Sequence, residues 1–199
     1  MIALMTLLEI LAVVFGLLSV YFTVKQKIWC WPTGLIMVGI YIYIFFNVKL
    51  YSDMIENILY VFLQIYGWYF WVYGNKNKKN AVPVTRLKAT GVVFWSMIIV
   101  AGTAILGFIM ATKTDASLPY LDALTTVMSL TAQIIMSQKK LENWVLWITV
   151  DVLALFIYSF KGLYLTTGLY AVFLILAISG LIEWRKSMKK SLIDRNGKC

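Results

Sequence analysis

Residues 89–112, ATGVVFWSMIIVAGTAILGFIMAT, contain no charged side chain, and residues 28–48 form another uncharged run between Lys27 and Lys49. About 20 apolar residues is the length an α-helix needs to cross ~30 Å of hydrocarbon. Seven such segments can be read, at 2–24, 28–48, 51–73, 89–111, 119–137, 141–160 and 162–184. Backbone polar groups in lipid must be satisfied internally, so the choice is helices or a closed barrel. A barrel would show alternating strands of ~10 residues, and these uninterrupted runs do not. The chain is 61% hydrophobic and 14% charged, against about 25% charged residues in a soluble domain. The expected fold class is therefore an all-α membrane protein with seven transmembrane helices. The first run has no basic leader before it, so no cleaved signal peptide is expected.

Loop charges predict an orientation. The longest connection, GNKNKKNAVPVTRLK at 74–88, is polar and broken by Pro83, with three helices before it and four after. Alternating the sides places Lys49, Lys113 and Lys161 with the N-terminus. The other basic residues, including Lys25, Lys27, Lys76, Lys78, Lys79, Arg86, Lys88, Lys139, Lys140 and those of 185–199, fall on the opposite side. The positive-inside rule then puts the N-terminus outside and the C-terminus in the cytoplasm. The net charge of +9 is thus a topology signal, and no nucleic-acid partner is expected.

An internal repeat appears at a constant shift of 113 residues. Leu11, Val14 and Leu17 match Leu124, Val127 and Leu130; Lys27 and Trp31 match Lys140 and Trp144. Leu50 and Tyr51 match Leu163 and Tyr164, and Gly67 and Trp71 match Gly180 and Trp184. A three-helix unit has an odd number of spans, so two joined directly would be inverted. The extra span at 89–111 restores the direction and makes the repeats parallel. Parallel repeats of this kind build transporters with a site near the midplane. The expected organisation is one membrane domain at 1–184, with repeat 1 at 2–73, a linker helix at 89–111 and repeat 2 at 119–184, followed by a basic cytoplasmic tail at 185–199.

Chemistry concentrates in the sixth span. Asp151 stands ten residues after Leu141, which is ~15 Å deep, about the bilayer centre. An acid there costs ~2.5–3.5 kcal/mol on insertion scales unless it faces a polar cavity or a partner. Trp144, Trp147 and Asp151 have i, i+3, i+7 spacing and share one helical face. Indole rings attract cations, and a carboxylate adds a countercharge, so the group suits a flat, aromatic, cationic solute. The alternative makes the tryptophans interfacial anchors and the aspartate structural, which explains Trp144 well and Asp151 poorly. The chain has no histidine, and its two cysteines, Cys30 and Cys199, are far apart. No metal site, disulfide framework, catalytic set or cofactor is expected. Residues 163–184 have no lysine for a retinal Schiff base.

The W-x-x-W-x-x-x-D pattern of Trp144, Trp147 and Asp151 resembles the W-x-x-W-x-x-x-N/D signature of the Pnu vitamin transporters. QKKLENWVLWITVDV, FKGLYLTTGLY, VKLYSDMI, QIYGWYFW and VPVTRL are similar to the PnuC subgroup. The resemblance spans Glu9 to Trp184. It implies a SWEET-like three-plus-one-plus-three arrangement, often trimeric, in the bacterial inner membrane. The implied activity is facilitated diffusion of nicotinamide riboside, which a cytoplasmic kinase then traps. Sister subgroups carry thiamine or riboflavin, and thiamine, also a cationic aromatic, is the alternative substrate. A non-transporting structural or receptor-like membrane protein is the alternative from another class.

A riboside is favoured over a mononucleotide on separate grounds. Phosphate recognition calls for Arg, Lys or a helix-terminus nest, and no Lys or Arg lies inside any span. Asp151, Gln133 and Gln64 are expected to pair with hydroxyls and amide while the tryptophans take the ring. Tyr164 is a further expected contact, and Tyr170 is as well suited to packing. Glu9 and Asp122, at matching repeat positions, and Glu56, beside Asn57, are expected at a gate or vestibule. Pro32 and Gly34 would allow the second span to bend, and Gly67 and Gly180 would allow close packing.

Overall fold

Turn chemistry decides where the helices end. The structure, a computed structural model, describes residues 2–74, 82–114, 117–160 and 162–196. Lys76, Lys78, Lys79, Lys161, Lys198 and Cys199 therefore lie outside the described residues. Seven helices occur in the described part, and the chain divides into two compact units, Met1–Val82 and Pro83–Cys199.

The first unit holds α1 (Ile2–Val24), α2 (Cys30–Asn47) and α3 (Tyr51–Tyr73), with α2 packed on both neighbours. The second holds α4 (Ala89–Lys113), α5 (Pro119–Ser137), α6 (Asn143–Phe160) and α7 (Tyr164–Asn196), each packed on the next. Pro119 opens α5 where its missing N–H is no loss, and Asp122 in the same turn suits the positive end of the helix dipole.

The helix ends repeat at the 113-residue shift. Gln26 and Lys139 both have positive φ, 53° and 51°. In the first turn Gln26 N–H donates to Thr23 O and Lys27 N–H to Phe22 O. In the second, Lys139 N–H donates to Met136 O and Lys140 N–H to Ile135 O. Lys49 and Gly162, again 113 apart, have φ of 61° and 71° and close the ends of α2 and α6 in the same way. These left-handed caps satisfy carbonyls that the helix end would otherwise leave unpaired. Gly162 adopts the conformation without a Cβ penalty, whereas Lys49 and Lys139 do not have that advantage.

Two differences from the sequence expectation concern the spans. Five helices, α1, α2, α4, α6 and α7, are long and apolar enough to cross a membrane by themselves. The other two, α3 and α5, have spanning length, 23 and 19 residues, but carry more polar side chains. Asp53, Glu56, Asn57 and Gln64 lower the hydropathy of α3, and Asp122, Ser129, Thr131 and Gln133 that of α5. The seventh segment, expected to end at 184, continues as helix to Asn196. Hydropathy falls at Glu183, but the residues that follow are good helix formers, so the helix outlasts its apolar stretch.

Candidate functional site: the buried face of α6

The buried residues of α6 are Asn143, Trp144, Val150, Asp151, Ala154 and Ile157, and half-buried Trp147 completes the stripe. Steps of three and four residues keep them on one face, while Val145, Val152 and Phe156 are exposed on the other. Asp151 lies eight residues after the start of an 18-residue helix and is 4% exposed. The Arg86–Glu142 and Lys186–Glu183 ion pairs do not reach it.

Gln133 meets this level from α5. It is four residues before the end of α5, as Trp147 is four residues after the start of α6, and the two helices pack antiparallel across a tight turn. Asp151 is one helical turn deeper, ~6 Å along the axis. Gln133 Nε2 and Trp147 Nε1 are both buried donors without a hydrogen-bond partner. Buried donors are nearly always paired; the indoles of Trp31 and Trp144 are unpaired as well, so what sets this level apart is the unpaired carboxamide of Gln133. Carboxylate, carboxamide and indole together provide a countercharge, hydrogen-bonding groups and a π face, as a cationic aromatic solute bearing hydroxyls requires.

Trp144 has different surroundings. It is 2% exposed, and its ring meets Trp184 edge-on, centroids 5.4 Å apart and planes at 90°. A Cβ built at Gly180 would stand 2.6 Å from Trp144 Cε2 and closer to its neighbours in the ring, so only glycine fits beneath the indole. The first unit has the same arrangement. Trp31 meets Trp71 edge-on at 5.3 Å and 88°, and a Cβ at Gly67 would stand 2.6 Å from Trp31 Cζ2. The close packing expected of Gly67 and Gly180 thus has a definite partner in each unit.

The remaining polar residues are distributed as follows. Gln64 is buried in α3 of the first unit, against Gly34: a Cβ there would stand 2.8 Å from Gln64 Cδ and 3.0 Å from Oε1. Gly34 therefore makes room for a carboxamide, and Pro32 sits in the first turn of α2, where no helical donor is lost. Tyr164 is the first residue of α7 and is 77% exposed. The structure does not bring it to Asp151, because the α6–α7 turn lies nine residues, ~13 Å, further along the axis. Tyr170 stacks on Tyr158 at 5.2 Å and packs edge-on against Phe173. Glu9 is exposed on α1, Glu56 half-buried on α3 and Asp122 half-buried on α5. Asn57 Nδ2 donates to Asp53 O one turn earlier.

Sequence reasoning missed the role of VPVTRL. Thr85 pairs with the α5–α6 turn, its N–H donating to Lys139 O at 3.0 Å and its carbonyl accepting from Leu141 N–H at 2.9 Å. Lys140 Nζ donates to Thr85 Oγ1, and Glu142 accepts from Leu87 N–H at 2.9 Å and Arg86 Nε at 3.2 Å. The segment straps the turn that aligns Gln133 with Trp147. Complementary Arg86 and Glu142 were the available signal, but a separation of 56 residues gives no reason to pair them.

Five helices long and apolar enough to cross a membrane, with polar and aromatic groups buried along α3, α5 and α6, define a polytopic membrane protein. A family model described as nicotinamide mononucleotide transporter matches residues 6–186, and the chain belongs to that family of transporters. It is a multi-pass protein of the bacterial inner membrane. The nicotinamide riboside transporter PnuC of Neisseria mucosa is 32% identical over 194 residues, covering 90% of this chain and 72% of that protein. The nicotinamide riboside transporter PnuC of Escherichia coli is 23% identical over 207 residues, covering 92% of this chain and 87% of that protein. A crystal structure of the vitamin B3 transporter PnuC is similar with a TM-score of 0.75 and 29% identity, covering 93% of this chain and 83% of that one.

Proposed function

We propose that the chain takes up nicotinamide riboside by facilitated diffusion, and that a cytoplasmic kinase phosphorylates the riboside and so prevents its return. In this reading Trp147 stacks on the pyridinium, Asp151 supplies the countercharge and accepts from ribose hydroxyls, and Gln133 pairs with the carboxamide or a hydroxyl. Gln64 is a further contact, and Tyr164 is left out because it is exposed at a helix start. The helices follow a three-plus-one-plus-three order with the N-terminus outside and the C-terminus inside, and the assembly is a homotrimer. Glu9, Glu56 and Asp122 line the approach to the site.

One observation carries this reading. At the 113-residue shift, Gln133, Trp147 and Asp151 correspond to Val20, Gly34 and Val38. The first unit forms the same turns and the same tryptophan packing without these side chains. The fold therefore does not require an acid at 151, although the first unit fills the place of the 147 indole with Gln64 against Gly34, and a buried acid must offset a cost of several kcal/mol. A role in binding is the reason such a cost is kept. A riboside suits the group better than the mononucleotide that names the family. From α1 to α6 the helices hold no Lys or Arg except Lys113, the last residue of α4, and a phosphate beside Asp151 would be repelled.

The test uses purified protein. Calorimetry should show binding of nicotinamide riboside in preference to thiamine, riboflavin and the mononucleotide. Liposomes with no other gradient should take up riboside to equal concentration and show counterflow. Tighter thiamine binding would assign the alternative substrate. Accumulation driven by an imposed proton or sodium gradient would reject facilitated diffusion.

A further inference from the structure

Trp144 shares a helix face with Trp147 and Asp151, yet its contacts are those of Trp31. Both indoles are almost completely buried. Each lies over a glycine of the last helix in its repeat, Gly67 or Gly180, and each is met edge-on by a tryptophan four residues further on, Trp71 or Trp184. The four residues match in pairs at the 113-residue shift. Their neighbours do not match: Gly34 and Val38 stand where the second repeat has Trp147 and Asp151. A packing kept in a unit without the polar side chains cannot be explained by ligand contact.

We propose that Trp144 is a positioning residue for transport. Wedged between Gly180 and Trp184, it sets the height and rotation of α6 on α7, and so the presentation of Trp147 and Asp151, without touching substrate. The inference rests on the reading of Trp147 and Asp151 as substrate contacts. Its physical basis is the tight fit. The ring atoms nearest Gly180 are Cζ2, Cη2 and Cε2, all in the benzo half of the indole. A methyl group at 180 has no room while that half is present, and close-packed interiors pass such a displacement on to the helix. A phenyl ring at 144 removes Cζ2 and Cη2, the two atoms nearest Gly180, and so opens space for the methyl.

The experiment is a size exchange. Trp144→Phe, Gly180→Ala and the double variant are purified, and calorimetry measures their affinity for nicotinamide riboside and for its uncharged reduced analogue. Each single variant should bind both ligands more weakly by the same factor, on the order of ten-fold, because the whole wall moves. The double variant should recover most of the affinity, although it has no indole at 144. If Trp144→Phe weakens binding and Gly180→Ala does not, or if the ratio between the two ligands changes, Trp144 touches substrate and the proposal is overturned. Lower thermal midpoints with unchanged affinities would make the packing purely structural and also overturn it. If a single variant cannot be purified folded, the double variant decides alone: parent-like binding supports the proposal and lost binding refutes it. A parent that binds neither ligand removes the functional reading and the positioning role together; the other negative outcomes remove only the latter.

Discussion

The first repeat suggests the most informative change at Asp151. Its repeat mate is Val38, which is buried in α2 as Asp151 is in α6. Asp151→Val therefore installs a side chain that this fold already accepts at the corresponding place. An aspartate near a helix centre costs ~2.5–3.5 kcal/mol on insertion scales, whereas valine is favourable by a few tenths, so the variant should insert at least as well as the parent. Thermal midpoint should hold or rise. Binding should move the other way. Hydrogen bonds to a charged group contribute about 1.5–3 kcal/mol, so their loss corresponds to roughly ten- to hundred-fold weaker affinity. Asp151→Asn separates charge from shape: the cationic riboside should lose more affinity than its reduced, uncharged analogue. Calorimetry with both ligands and thermal unfolding of the same preparations measure all of this. A valine variant that binds like the parent, or one that unfolds earlier while the asparagine variant does not, would show that the acid is structural and refute the reasoning.

Three further outcomes are expected. Gly34→Ala should force the Gln64 carboxamide to retreat by about 1 Å to restore an ordinary contact, with little change in thermal midpoint because the far end of a flexible side chain gives way; unchanged riboside affinity would remove Gln64 from the contact set. Glu142→Ala should lose ~1 kcal/mol with the Leu87 amide acceptor, read as faster amide exchange at Thr85–Leu87. Arg86→Ala should do less, since Arg86 is 69% exposed and such pairs contribute little; equal effects of the two variants would contradict this. In a background lacking Cys30 and Cys199, Lys113→Cys should react with an impermeant maleimide in intact cells and Lys186→Cys only after permeabilisation, and the reverse pattern would overturn the proposed orientation.

By itself the sequence determined the helices and the buried polar face of α6. Basic and turn-forming residues bound mainly apolar runs, so the ends of α1, α3 and α5 agree with the sequence boundaries, and α2 and α6 start two residues later than expected. The face of α6 was legible because helical periodicity is local: Trp147 and Asp151 are four residues apart whatever surrounds them. Tertiary structure decided what surrounds each member of that face. Trp144 and Trp147 are the same residue type three positions apart, but only Trp144 lies over a glycine 36 residues away. Gly34 reads as a hinge until the Gln64 carboxamide is found against it, and VPVTRL reads as a loop until Glu142 accepts its amide. Tyr164 reads from the sequence only as a tyrosine of the seventh span, and its exposure at the start of α7 is set by the fold. Such distinctions rest on contacts between residues far apart in the chain, which pattern and propensity do not encode. The 113-residue repeat belongs to both levels. Sequence shows which residues match, and the paired caps and tryptophan contacts show that matching residues carry structure; Trp147, Asp151 and Gln133, which have no such match, are the ones proposed to contact substrate.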